Sequence, residues 1–179
     1  METHNVNKLL LREHKQKDKE RAITETFFCV AVFDLQQVLP IPKCEVNQVY
    51  YSKKLATYNL TVFDLGSKNC ICFMWHEDIA AKGSNEIGSC IFQFIPNKVQ
   101  EGVKEICLFM FCLYAYCSVK YGVIITHKFL EKGHTQNEGD SAHSIIERAA
   151  KNIPIYIPSQ WCAPLCSAKR KKPYTVRGI

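Results

Sequence analysis

The sequence predicts an α/β layered fold, a mixed sheet of about five strands with helices packed on it. Three observations carry that expectation. Runs rich in β-branched and aromatic residues recur at strand length: FFCVAVFD at 27–34, TYNLTVFDL at 57–65 and CICFMWHE at 70–77. From residue 83 onward, helix-like stretches alternate with strand-like ones. The chain has 179 residues, 47% hydrophobic and 22% charged, enough to bury a core and unlike a disordered segment.

Taken in order, residues 3–24 are rich in lysine, glutamate and helix formers, which reads as an exposed helix. FFCVAVFD is the first strand and ends on Asp34. In LQQVLPIPK, Pro40 and Pro42 argue for a loop. The second and third strands, 57–65 and 70–77, are joined by the turn GSKN as a hairpin. Ser84 or Asn85 can cap a helix running to Pro96, with Glu86 complementing its dipole. VKEICLF at 103–109 is a fourth strand, followed without punctuation by an apolar helix ending near Gly122. VIITHKFL is the fifth strand. Asp140 or Ser141 then caps a helix through Lys151, and IYIP is extended. Residues 1–25 are thus a charged N-terminal helix, 26–162 the folded domain, and 163–179 a mobile basic tail.

The net charge of +6 and pI near 8.8 suit a polyanionic partner, so DNA or RNA is a candidate ligand. Ten cysteines look like a disulfide framework, yet the N-terminal METHNVNKLLLREHKQKDKER lacks the pattern of a secretory leader. Several thiols sit inside apolar runs, as small hydrophobes do. Reduced cysteines, a nuclear or cytoplasmic location and no disulfide-linked partner are expected. Cys70-x-Cys72 with His76, and Cys162 with Cys166, lack a matching second half for a structural zinc. The apolar run 106–119 falls short of a bilayer span, so no membrane contact is expected. Trp75 and Trp161 read as core or rim aromatics.

Polar chemistry is densest in HKFLEKGHTQNEGDSAHSIIE, residues 127–147. It holds His127, His134 and His143 with Glu131, Glu138, Asp140 and Glu147 beside two glycine turns. The plain reading is a polar loop before a surface helix, with His127 and His134 as hydrogen-bonded structural residues. The sharper one is a metal or proton-transfer site.

Three strands followed by alternating helix and strand is also the order of the ribonuclease-H-like fold. The motifs strengthen that likeness. They are Asp34-Leu-Gln-Gln with LPIPK, Lys54-Leu-x-x-Tyr58-Asn59, Trp75-His-Glu77, Gly83-Ser84-Asn85-Glu86-Ile, and His127-Lys-Phe-Leu-Glu-x-Gly133-His134-Thr135. Asp140-Ser-x-His143-Ser-x-Ile-Glu147 and Ile155-Tyr-x-Pro158-x-x-Trp161 complete the set. Together they resemble a transposon-derived domain of unknown function common in uncharacterised insect proteins, itself similar to ribonuclease-H-like transposase and integrase cores. The resemblance runs from about residue 15 to 175.

It implies Mg²⁺-dependent phosphodiester cleavage or strand transfer, in which two ions about 4 Å apart are held by carboxylates. Asp34 matches the acid on the first strand. Asp140 is the choice for the acid near the last helix, with Glu138 and Glu147 as competitors. Asp34 and Asp140 would be the metal ligands, and His143, one helical turn after Asp140, would orient a carboxylate or touch a phosphate. His134 and the run Lys169, Arg170, Lys171, Lys172 are candidate nucleic-acid contacts; the run also reads as a nuclear-import patch or a solvated terminus. The second acid is missing. The resemblance places an aspartate and a glycine-rich loop after the fourth strand, and here VKEICLF runs straight into MFCLYAYC. The fourth strand and its loop are therefore expected to be damaged, with strand and helix either fused across 103–120 or the strand shortened. The activity is expected to be lost, leaving a nucleic-acid-binding or protein-interaction module as the alternative.

Overall fold

The computed structural model describes residues 2–44, 53–108, 118–127 and 138–178. Among them are α1 (Glu2–Thr24), β1 (Phe28–Leu35), β2 (Leu39–Ile41), β3 (Leu55–Asp64), β4 (Cys70–His76), α2 (Ser84–Gln100), β5 (Glu105–Leu108) and β6 (Ile124–His127). They continue with α3 (Glu138–Ala149), a 3-10 turn (Pro158–Trp161), α4 (Cys162–Ser167) and β7 (Thr175–Gly178). The fold is mixed α/β, and seven sheet strands replace the five expected. Two compact units divide the chain: Met1–Val32, Asp64–Lys68 and Ile91–Asn137 form the first, and Phe33–Phe63, Asn69–Cys90 and Glu138–Ile179 the second.

In the first unit the opening residues of β1 pair in parallel with β5, Phe28 opposite Glu105 and Val30 opposite Cys107. β6 pairs in parallel with the other edge of β5. Parallel strands buried on both faces need continuous apolar runs, and Phe28 to Val32, Ile106 and Leu108 provide them. The end of α1 is fixed to this sheet by Arg21, which donates to both oxygens of Glu105 at 2.8 and 2.7 Å. The same guanidinium lies 4.0 Å over the Phe28 ring. Glu105–Leu108 is a strand of four residues, so the fourth strand is short and not fused into a helix across 103–120. Residues 109–117, where the loop deletion was expected, lie outside the described residues.

The first unit also buries an ion pair. Lys98 of α2 meets Asp64 at 2.8 Å and Glu101 at 2.7 Å. The other Asp64 oxygen accepts the backbone N–H groups of Gly66 and Ser67 at 2.9 and 3.2 Å. Burial pushes the Asp64 carboxyl upward, but its bonds to Lys98 and Ser67 outweigh burial and hold it below the usual aspartate value.

In the second unit β3 and β4 form the hairpin expected from GSKN, paired from Thr57 opposite His76 to Phe63 opposite Cys70. The end of β1 lies beside β3, where the Gln36 N–H donates to the Asn59 carbonyl at 2.9 Å. LPIPK is not simply a loop: Leu39–Ile41 pairs antiparallel with Leu55–Thr57 as β2. Proline is tolerated because Pro40 is on the exposed side while Leu39 and Ile41 turn inward.

The C-terminal segment was expected as a mobile tail, yet it is folded. β7 pairs in parallel with β4, and Leu165 and Tyr174 are buried. One apolar cluster joins Leu39 and Ile41, Cys70, Cys72 and Met74, Ala142 and Ile146 of α3, and Ala150 just beyond it with Trp161. Gly139, Ala142, His143 and Ile146, spaced three or four apart, give α3 its buried stripe. Lys43 caps the end of α3, its ammonium donating to the carbonyls of Ala150, Lys151 and Ile153. Two further helix limits differ from expectation. α3 begins at Glu138, so Asp140 and Ser141 lie within its first turn and neither is the cap. α2 passes through Pro96 to Gln100, and at its start Glu86 reaches back to the Gly83 N–H at 2.8 Å. That bond satisfies an otherwise orphaned donor and accounts for Glu86, in place of a Ser84 or Asn85 cap.

Candidate metal centre

β3 alternates between two kinds of buried residue. Tyr58, Leu60 and Val62 face one way, while Thr57, Asn59 and Thr61, each no more than 1% exposed, face the other. A polar row inside a sheet costs about 1–3 kcal/mol per unsatisfied group, so its retention needs a reason. Across the hairpin, Asn59 and Thr61 stand opposite Met74 and Cys72, on the side of the sheet that α3 covers. The polar row is therefore the floor beneath α3.

His143 enters that floor from the helix. Its Nε2 lies 3.0 Å from the Thr61 hydroxyl, and its ring is buried. The Asn59 amide donates to Thr61 Oγ1 at 3.5 Å and to Gln36 Oε1 at 2.9 Å. Gln36 in turn donates to Glu147 at 3.2 Å. A chain of contacts thus runs from Glu147 through Gln36, Asn59 and Thr61 to His143. Burial lowers the pKa of His143, and the nearby charges of Asp140 and Glu147 oppose it without prevailing. The ring is consequently neutral near pH 7, the form in which imidazole binds a metal.

Asp34, at the end of β1, faces the other side of that ring. Its Oδ2 is 3.9 Å from His143 Nδ1. One ligand atom each from Asp34, Asp140 and His143 all lie within 4.8 Å of one another, the one such group among the described residues. Asp140 and His143 converge because positions three apart on a helix share a face. Two carboxylates and a neutral imidazole form a donor set that can hold a divalent cation.

The sequence-predicted residues therefore divide. Asp34, Asp140 and His143 come together from β1 and α3. Glu147 lies one turn further along the same helix face, outside the group but tied to it through Gln36. Glu138, two residues before Asp140, is outside the group as well. Lys169 is half-buried and Arg170, Lys171 and Lys172 are exposed, in the connection between α4 and β7. His134 lies outside the described residues, as does Glu131; the side chain of His127 is also outside them. No member of the group comes from β5, whose one acid, Glu105, is bound to Arg21.

Sequence reasoning missed Thr61, Asn59 and Gln36 as parts of the site. A signal was present: Thr57, Asn59 and Thr61 alternate with apolar residues in a strand that is otherwise fit for full burial.

No protein-family model matches the chain, and no curated protein matches it.

Proposed function

We propose that the chain is a transposase- or integrase-derived ribonuclease-H-like domain that keeps a divalent-cation site and has lost the second acid its chemistry required. The observation that carries this reading is the convergence of Asp34, Asp140 and His143 within 4.8 Å. An acid on the first strand and an acid at or near the last long helix, here the one after β6, is the arrangement the motif resemblance implies. The order of strands supports the reading. β1 has a parallel neighbour, β5, followed by β6, while β3 lies beside its C-terminal end and leads into β4.

Mg²⁺ is the ion the resemblance implies, and it would supply Lewis-acid activation of water and of a phosphate oxygen. Asp34 and Asp140 would hold it. His143, kept neutral by burial, would share the site without repelling the ion. The Glu147–Gln36–Asn59–Thr61 chain would fix the ring, and the side chains of the group would exclude water from one side of it. A second ion would need a carboxylate after β5, and the sequence offers no aspartate between Asp78 and Asp140. Turnover of nucleic acid is therefore lost while cation binding remains.

Supercoiled DNA incubated with the protein and Mg²⁺ or Mn²⁺ tests this directly. The expected result is no cleavage, together with saturable cation binding that Asp34→Ala abolishes. Cleavage that Asp34→Ala abolishes would show a competent nuclease and overturn the loss of activity.

The exposed run Arg170, Lys171 and Lys172, held between α4 and β7, favours a second reading as a nucleic-acid-binding module. Such binding would weaken with salt in proportion to the phosphates contacted. Replacing the run with glutamine would lower both the affinity and the salt slope.

A further inference from the structure

We infer that His143 is itself a metal ligand through Nδ1, positioned by Thr61, so that the centre takes a nitrogen-accepting divalent transition ion of the Mn²⁺ class in preference to Mg²⁺. The inference rests on the cation-site reading above and specifies its ligands and its ion.

Geometry leads to it. The separation of 3.9 Å between His143 Nδ1 and Asp34 Oδ2 is too long for a hydrogen bond. Two donors each about 2.1 Å from one ion stand about 3–4 Å apart, so the same separation suits a shared metal. The opposite nitrogen is already engaged, 3.0 Å from Thr61 Oγ1. A metal-binding histidine needs that arrangement: one nitrogen held by a hydrogen bond that fixes the tautomer, the other left with its lone pair toward the ion.

Thr61 is built to supply it. Asn59 Nδ2 can only donate, and it donates to Thr61 Oγ1, which engages that oxygen as an acceptor. Thr61 stands opposite Cys72 across the hairpin. The Thr61 oxygen keeps a second lone pair, and with it accepts the Nε2–H of His143. Nδ1 is then the unprotonated nitrogen, facing Asp34. The Thr61 floor is fully buried, at 0% exposure, so water does not compete for these bonds.

Ion preference follows from the donors. Mg²⁺ demands oxygen ligands in near-ideal octahedral geometry and seldom takes imidazole, whereas Mn²⁺ and its later neighbours accept a mixed set of carboxylate and imidazole.

The test uses the full chain, with Mn²⁺ binding followed by the loss of the free-ion electron paramagnetic resonance signal and Mg²⁺ added as competitor. Pulsed resonance on the bound Mn²⁺ then reports whether a nitrogen is coordinated. Mn²⁺ is expected to bind at least about tenfold more tightly than Mg²⁺, with a nitrogen coupling that His143→Gln removes. Thr61→Val is expected to weaken Mn²⁺ binding about 10- to 100-fold while leaving Mg²⁺ binding little changed, and Thr61→Ser to restore it. A circular dichroism melt establishes that each variant is folded; should Thr61→Val not fold, His143→Gln and the nitrogen coupling decide alone. If Mn²⁺ binds, Asp34→Asn abolishes binding, and no nitrogen coupling is seen, the cation site stands and the inference about His143 and Thr61 fails. If the protein binds no Mn²⁺, or Asp34→Asn leaves binding unchanged, the cation site itself is wrong and the inference goes with it.

Discussion

Each of the two units sets an aspartate at the end of a strand, and the two aspartates face different partners. In the first unit Asp64 closes β3 against the Lys98 ammonium at 2.8 Å, both side chains 8% exposed. In the second, Asp34 closes β1 opposite an imidazole nitrogen at 3.9 Å, on a ring that burial keeps neutral, with Asp140 in the same group. The first arrangement carries its own counter-charge. The second collects oxygen and nitrogen donors at one point. Asp64 is held in a buried ion pair, whereas Asp34 and Asp140 stand with an imidazole in a group whose ligand atoms could share one cation.

The largest expected effect comes from breaking the first arrangement. Lys98→Met would leave Asp64 buried without its ammonium and is expected to cost about 3–5 kcal/mol of stability, read from urea unfolding. Lys98→Met with Asp64→Leu should recover much of that loss, because the uncompensated charge is gone. The pair also gives the wild type a pH dependence with a definite sign. Asp64 is held below its usual value in the folded chain. The unfolded chain therefore binds more protons as pH falls below about 4, and stability declines through that window. Above it the contribution is complete. Acid unfolding of Lys98→Met should lose this component.

Much of this frame could be read from the sequence, and the failures have physical reasons. β1, the β3–β4 hairpin and α3 follow from apolar runs, a turn and a helical stripe, all local signals. Asp34 and Asp140 came from the motif resemblance; by themselves their places, a strand end and a first helical turn, are ordinary ones for an acid. β2 was missed because Pro40 argues against a strand in general, although it fits an edge whose exposed side carries no ladder bond. β7 was missed because a basic tail looks solvated. Its pairing with β4 is a long-range contact that composition does not report. The role of Thr61 was hidden for a related reason: a threonine in a strand is ordinary until the residue above it is known to be a histidine.

Gly66→Ala is expected to have the next largest effect, and again in the first unit. A Cβ at position 66 would stand 2.7 Å from the Ala22 carbonyl oxygen, which is backbone and cannot swing aside. Forcing α1 away from the Asp64 turn should cost about 1–3 kcal/mol in the same unfolding measurement. A result near zero would mean that the end of α1 yields easily, despite the Arg21–Glu105 bonds.

In the second unit the comparison predicts that stability and function separate. Asp140→Asn should change unfolding free energy by no more than about 0.5 kcal/mol, since the side chain is exposed. The same change should remove the rise in melting temperature that Mn²⁺ gives the wild type, a rise corresponding to about 2.7 kcal/mol at one hundred times the dissociation constant. If Asp140→Asn destabilises the protein as much as Lys98→Met does, the acid serves the fold and the contrast between the units fails.

The smallest effect belongs to Glu138, and it is the most selective of these tests. Glu138 and Asp140 occupy the same first turn of α3, and both complement the positive end of the helix. Two residues apart on a helix, they point in roughly opposite directions. Glu138→Gln should therefore cost a few tenths of a kcal/mol for the lost dipole complement and leave Mn²⁺ binding unchanged. Asp140→Asn should lose the same dipole contribution and the metal as well. A loss of Mn²⁺ binding in Glu138→Gln would show that negative charge anywhere at this helix end is enough to attract the ion. Retention in Glu138→Gln with loss in Asp140→Asn would assign the binding to the helix face that Asp140 shares with His143.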